Sequence, residues 1–284
     1  MENLRKITLE GWEHFGGGAT SDTYYKCDDD TLMLKVFIPT VDQSMAKREY
    51  ELTDRVYKLG IRTPRVYEMV NVNGRLGIIF QRIKNKISCA RLMGDHPELI
   101  PEVAKDYVRE VKLLHNTPCD TKAFKSKKET VRELINNAKT INDEQKNHLL
   151  NFVNSVPDVT TCLHCDLQMG NLIKVDNEFY WIDLGDFSYG HPYFDIASVM
   201  FAADIVANTP KTHELYHMNE EQLRLFFKCF LKEYLGSDDE IKTKAFIKEL
   251  QPYLAVYYLF VVEINNFFVG GEELYYKIIN SVKN

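Results

Sequence analysis

The sequence predicts an α+β protein of two lobes: a small N-terminal antiparallel sheet with one helix, then a larger, mostly helical lobe. Three observations predict it. Short β-prone runs broken by glycine and aspartate clusters fill most of the chain up to Phe80, around a single stretch with helical period. Apolar residues at helical spacing dominate from Pro101 onward. Between helical stretches of that second part, a set of polar residues at fixed spacing, His164 to Asp183, is flanked by β-prone runs.

In order, Leu9–Phe15, Thr23–Cys27 and Leu32–Ile38 read as strands. Gly16-Gly17-Gly18 separates the first two and Asp28-Asp29-Asp30 the next two, as hairpin connections do. Ser44–Leu59 reads as a helix, because Met45, Arg48, Glu49, Leu52, Val56 and Leu59 share helical spacing and Gly60 follows as a stop. Pro64 opens an extended run to Val72, Asn73-Gly74 is a strong two-residue turn, and Leu76–Phe80 is the return strand. The order is β-β-β-α-β-β, and the chain changes character near residues 81–86. The expected division is residues 1–83 and residues 84–284.

In the second part, Pro101–His115, Thr130–Ala138 and Glu144–Val156 read as helices and Val159–Leu163 as a strand. Leu172–Val175 and Phe179–Ile182 form a hairpin turned at Asp176-Asn177, and helices follow from Phe194 to the end. The apolar stretch Tyr253–Val269 contains Glu263, Asn265 and Asn266 and is short for a membrane span, so it reads as a buried core helix.

Bulk properties narrow the classes of function. At 45% hydrophobic residues, with 16 Phe and 16 Tyr, the chain can bury a sizeable core. A net charge of -6 argues against a nucleic-acid partner, which favours a concentrated basic face. Met1–Leu9 is charged and has no apolar leader segment, so the expected location is cytoplasmic and no membrane partner is expected. The six cysteines are then expected to be free thiols. Cys162 and Cys165 form a lone C-x-x-C, but a zinc site needs a second ligand pair and none has suitable spacing. Oligomeric state is not legible.

The chemistry concentrates in His164-Cys165-Asp166-Leu167-Gln168-Met169-Gly170-Asn171, whose polar skeleton is H-x-D-x-x-x-x-N. Asp183 follows 12 residues after Asn171, beyond a hairpin able to fold it back. Phosphoryl transfer asks for such a set, because the protein contributes mainly positioning and charge neutralisation. Asp166 is the candidate base that orients an acceptor hydroxyl, and Asn171 and Asp183 are candidate ligands of Mg²⁺, a hard cation that prefers oxygen. Each residue alone is more often a cap or turn residue; together, in order and at this spacing, they point to function. Lys35 stands inside the otherwise apolar strand Leu32–Phe37, and an ammonium there needs a partner, for which Glu49 on the next helix is the best placed. Gly17, Gly18, Thr20 and Ser21 lie in a glycine-rich turn able to approach phosphate oxygens, although no Walker lysine follows.

H-x-D-x-x-x-x-N followed by Ile182-Asp183-Leu184-Gly185 resembles the aminoglycoside phosphotransferase and choline kinase superfamily, as does Phe194-Asp195-Ile196-Ala197 preceded by Gly190-His191-Pro192. The resemblance covers nearly the whole chain, with its specificity in residues 162–197. It implies a protein-kinase-like fold and transfer of the γ-phosphate of a Mg-bound ATP or GTP to a hydroxyl of a small acceptor. It also implies that Asp195 braces the catalytic loop, that Lys35 and Glu49 serve the phosphates, that Thr20 or Ser21 faces the β-phosphate, and that Gln81, Arg82 and Ile83 border the base. The family usually has glycine where Cys165 stands, which makes backbone strain at that position the point to inspect.

Tyr257, Tyr258, Glu263, Asn266, Glu272 and Glu273 on the late helices are candidates for an acceptor pocket, as such residues are in relatives with cationic substrates; the bland reading is that they pack or face water. Two other functions stay open. A silent nucleotide-binding pseudokinase or regulatory module is disfavoured by the complete polar set. A Ser/Thr protein kinase is disfavoured by the missing A-P-E element and the short gap from Asp183 to Asp195.

Overall fold

The computed structural model describes residues 4–18 and 20–283; Met1, Glu2, Asn3, Ala19 and Asn284 lie outside the described residues. The chain divides into two compact units, Met1–Ile87 with Ile173–Asp186, and Ser88–Leu172 with Phe187–Asn284.

The first unit is built on a six-stranded sheet: β1 (Arg5–Ile7), β2 (Trp12–Gly17), β3 (Ser21–Lys26), β4 (Leu32–Phe37), and, after helix α1 (Gln43–Lys58), β5 (Val66–Val72) and β6 (Arg75–Gln81). The spatial order is β1-β5-β6-β4-β3-β2. Four of the pairings are antiparallel, and β1 joins β5 in parallel. The sheet is therefore mixed at one edge. β1 is absent from the sequence expectation because three residues, two of them charged, carry no readable period. The glycine run also differs from expectation. Gly16 and Gly17 belong to β2 and pair with Thr23 and Asp22, with the register shifting between His14 and Gly16. Only Gly18 and Thr20 of the described residues stand outside the two strands, Ala19 between them not being described.

Period-2 alternation sorts this sheet into two apolar faces. Phe37, Val66, Leu76, Ile78 and Phe80 pack with Ala46 of α1. Leu34, Val36, Val70, Val72 and Ile79 pack on the other side, with Ile7, Leu9 and Trp12 against them. Lys35 thus alternates to the same face as Phe37. α1 starts where the Asp42 side chain accepts the Ser44 N–H at 2.6 Å, an N-cap. Asn73 (φ 51°) and Gly74 (φ 90°) make the β5–β6 turn, which needs two left-handed residues.

After β7 (Ile87–Ser88), the second unit runs through α2 (Cys89–Asp95), α3 (Ile100–His115), α4 (Lys127–Asn137), α5 (Asp143–Ser155) and β8 (Cys162–Leu163). Of the strand expected over Val159–Leu163, only Cys162 and Leu163 form a strand, pairing with Tyr189 and Ser188, while Thr161 makes a single bridge to Pro118. The hairpin β9 (Leu172–Val175) and β10 (Glu178–Trp181) follows, Asp176 supplying a left-handed turn residue at φ 52°. β10, β9 and β7 form a small sheet in that order. The rest is β11 (Ser188–Tyr189), α6 (Tyr193–Asp204), α7 (Thr212–Tyr216), α8 (Glu220–Leu235), α9 (Glu240–Asn265) and α10 (Glu272–Ile279).

α6 is the centre of the second unit. Every residue from Phe194 to Ala203 is buried, so it has no polar face, and α8 and α9 pack on it. α3 packs on α8, and α4 on α5. α5 and α8 each open on a reciprocal capping box, Asn142 with Gln145 and Asn219 with Gln222. The apolar stretch from Tyr253 is the second half of α9, a helix that runs through Pro252 and buries Leu254, Tyr258, Leu259 and Val262. No helix among the described residues is long and apolar enough to cross a membrane.

Candidate active site

Lys35, Glu49 and Asp183 lie in the first unit, with the glycine-rich turn and the strand end at Gln81 and Ile83. Lys35 Nζ donates to both carboxylate oxygens of Glu49, at 2.7 and 2.9 Å. The two side chains are 18% and 14% exposed, so the pair is shielded from water on most sides. Burial pushes the Glu49 carboxyl up; the Lys35 ammonium pulls it back, and the negative charge of Asp183 adds to the rise. Asp183 is exposed and sits just past β10 in a left-handed backbone at φ 61°, a conformation that costs a non-glycine residue of order 1 kcal/mol or more. Nearby, Arg48 pairs with Asp186 at 3.5 Å with both side chains about half exposed, a surface contact.

The glycine-rich turn and the strand end are arranged as follows. Gly18 N–H donates to Ser21 O at 2.8 Å, closing the tip of the β2–β3 hairpin, and Thr20 O accepts the Ile38 N–H at 3.0 Å. Ser21 is buried. A Cβ on Gly17 would meet Asp22 Oδ1 at 3.1 Å, while one on Gly18 would meet nothing within 4 Å. Gln81 ends β6, donating its N–H to Arg65 O at 2.8 Å, and Ile83 is buried two residues on. The Arg82 guanidinium between them lies 3.5 Å from the ring centre of Tyr25, a cation–π contact with no clear signal in the sequence.

The second unit holds Asp166, Asn171 and Asp195. Asp195, in the first turn of α6, is fully buried. Its Oδ2 accepts the His164 N–H at 2.8 Å and faces His115 Nε2 at 3.0 Å, and its Oδ1 accepts the Cys165 N–H at 2.7 Å. Burial alone would push this carboxyl up, but its bonds and charge interactions with His115 and His164 outweigh burial and hold it below the ordinary carboxylate value. The helix N-terminus favours the same charge. His115 has no counterpart among the sequence candidates, since a histidine closing a helix reads as a cap. Cys165 takes φ 68°, the left-handed region the family's glycine would occupy freely.

The loop beyond Cys165 is tied to itself. Asp166 N–H reaches His164 Nδ1 at 3.3 Å, and Asn171 Nδ2 donates to Asp166 Oδ2 at 2.8 Å and to Asp166 O at 3.0 Å. Gln168 Nε2 also donates to Asp166 Oδ2, at 2.8 Å. Asp166 is half-buried and Asn171 buried. Cys162 and Cys165 do not form a disulfide, and all six cysteines are free thiols.

Several late-helix candidates make contacts within the scaffold. Glu263 Oε1 accepts three donors from the loop after α4: Lys139 N–H at 2.9 Å, Thr140 N–H at 2.9 Å and Thr140 Oγ1 at 2.6 Å. Tyr258 is buried and donates to Val269 O. Asn266 caps α9 in a left-handed conformation, and Glu272 and Glu273 occupy the first turn of α10, where negative charge suits the helix N-terminus.

A small N-terminal sheet with one helix, and a larger helical region carrying a histidine–aspartate–asparagine loop braced by a buried aspartate, define a protein-kinase-like fold equipped for phosphoryl transfer. The chain belongs to the Phosphotransferase enzyme family, which it matches over residues 11–216, and it is a phosphotransferase by that membership. No curated protein matches the sequence. Among solved structures it is similar to amicoumacin kinase hAmiN in complex with AMP-PNP, Ca²⁺ and Ami, at 14% identity and TM-score 0.59, over 98% of this chain and 90% of that one. It is similar to ADP-bound aminoglycoside phosphotransferase APH(2'')-Ib at 18% identity and TM-score 0.58, over 95% and 91%. Plasmodium vivax ethanolamine kinase matches at 14% identity and TM-score 0.59, over 96% of this chain and 80% of that one.

Proposed function

We propose that the chain transfers the γ-phosphate of ATP or GTP to a hydroxyl of a small-molecule acceptor. The observation that carries this reading is the loop on which Asn171 donates to Asp166 Oδ2 at 2.8 Å while Asp195 holds the backbone behind it. Asp166 is the base: the acceptor O–H bond breaks, its proton passes to the carboxylate, the oxygen's electron pair forms the bond to the γ-phosphorus, and the bond to the departing diphosphate breaks. In the nucleotide-binding N-terminal part, residues 1–83, Lys35 steadied by Glu49 neutralises phosphate charge, and Gly17, Gly18, Thr20 and Ser21 border the phosphates. Gln81 and Ile83 border the base. Residues 84–284 supply catalysis and the acceptor site.

Asn171 and Asp183 are the residues that would hold Mg²⁺. The donor set fits a hard cation. Asp166 takes the Asn171 amide nitrogen, which leaves the amide oxygen as that side chain's donor to a metal, and Asp183 is an exposed carboxylate. When bound, the metal offsets charge on the phosphate oxygens. Similarity to structures holding AMP-PNP or ADP supports a nucleotide co-substrate.

The test is phosphate transfer from ATP or GTP, with MgCl₂, to aminoglycosides, ethanolamine, choline, sugars and hydroxyl amino acids. One of them is expected to be turned over by the wild-type chain, and Asp166→Ala is expected to lower that kcat by about 10²–10⁴-fold with nucleotide affinity nearly intact. Unchanged turnover in Asp166→Ala removes the base assignment.

A further inference from the structure

Gln168 lies in an unassigned position of the H-x-D-x-x-x-x-N skeleton, and its contact with Asp166 goes beyond what the loop's shape requires. The backbone is already closed: Gln168 N–H donates to Asp166 O at 2.8 Å and Asn171 N–H donates to Gln168 O at 3.0 Å. The side chain makes a second, separate contact, Nε2 to Asp166 Oδ2 at 2.8 Å, on the same oxygen that receives Asn171 Nδ2 at 2.8 Å. A carboxylate only accepts, so the amide nitrogen of Gln168 must face it. The amide oxygen then lies on the Gly170 side, where a Cβ on Gly170 would come 4.0 Å from Oε1.

We propose that Gln168 is a positioning residue for phosphoryl transfer, one that fixes the plane of the Asp166 carboxylate. This rests on Asp166 being the base. A carboxylate held by one N–H pivots about that bond; two N–H groups from different side chains on one oxygen stop the pivot. Misorientation of a base costs rate without costing affinity, because the acceptor and nucleotide are bound by other groups.

The experiment follows inorganic phosphate released from ATP and MgCl₂ by the full chain, with water as acceptor, so that no acceptor need be known. Gln168→Met keeps length and removes the donor. It is expected to lower kcat about tenfold, the effect of one hydrogen bond to a charged group, with KM for ATP within about twofold and the melting temperature unchanged. Gln168→Glu keeps the shape and sets a second carboxylate against Asp166, and is expected to lose more than Gln168→Met. In an Asp166→Asn background, Gln168→Met is expected to have no further effect. Full kcat in Gln168→Met, a parallel rise in KM, a lowered melting temperature, or an additive loss in the double variant overturns the proposal. Failure of the base reading looks different: Asp166→Asn then keeps its turnover, and both ideas fall together. If Asp166→Asn is inactive and Gln168→Met is not impaired, the base reading stands and only the role of Gln168 is lost.

Discussion

Asp195 Oδ1 accepts the backbone N–H of Cys165 at 2.7 Å, so a carboxylate 30 residues downstream secures the left-handed turn that leads into Asp166. The same group takes the His164 N–H and faces His115, and no water reaches it.

Asp195→Asn is expected to destabilise the chain by about 3 kcal/mol near neutral pH, because an amide nitrogen would face donors and the buried charge pairing would be broken. The pH dependence has a defined sign. A carboxyl held below its ordinary 3.8 in the folded state contributes stability that is complete above that value and is lost as pH falls toward and through the folded one. The difference in melting temperature between wild type and Asp195→Asn should therefore be constant from pH 7 to about pH 5 and shrink below about pH 4. A difference that stays flat through the acid range contradicts the depressed carboxyl.

Cys165 holds φ 68° and is buried. A β-branched side chain is a severe outlier there. Cys165→Val is expected to cost about 2 kcal/mol or more and to lower kcat by disturbing Asp166, whereas Cys165→Gly should stay within about 1 kcal/mol of wild type, relief of strain offsetting lost packing and added chain freedom. Urea midpoints for the two variants settle the order, and Cys165→Val as stable as Cys165→Gly would contradict a left-handed residue 165.

Gly94 in α2 packs against the end of α7. A Cβ there would fall 2.0 Å from His217 O, and Gln222 Nε2 donates to the Gly94 carbonyl at 3.1 Å, so neither neighbour is easily displaced. Gly94→Ala, ordinarily favourable in a helix, is expected to destabilise by about 3 kcal/mol through overpacking. A raised melting temperature for Gly94→Ala would show that α2 and His217 can move apart.

The legible part of the fold was the part with local cause. The Asn73-Gly74 turn, the amphipathic period of α1 and the Asp176 hairpin are each fixed by residues within a few positions. β1, with its parallel pairing to β5, and the two-residue strands β7 and β11 exist because of distant partners, and no short window records them. Within the candidate site, Lys35 and Glu49 could be paired from strand alternation and helix facing. Cys165 stood out as a departure, and its left-handed backbone gives that departure a physical meaning. His115 and Gln168 were not foreseen: a histidine near a helix end and a glutamine in a loop are ordinary residues until Asp195 and Asp166 appear beside them. Glu263 reads more readily as packing or a solvent-facing acid than as a pocket acid, and its three donors from residues 139–140 make it a clamp.

The first unit is not contiguous in the chain. Ile173–Asp186 belongs to it, with Trp181 N–H donating to Arg62 O at 2.9 Å and Asp183 acting on Glu49. During synthesis on the ribosome, residues 4–87 emerge long before the hairpin that completes their unit. An N-terminal fragment cut at residue 87 would carry Lys35 and Glu49 without Asp183, and a deletion after the helices of the second unit begins would damage the first.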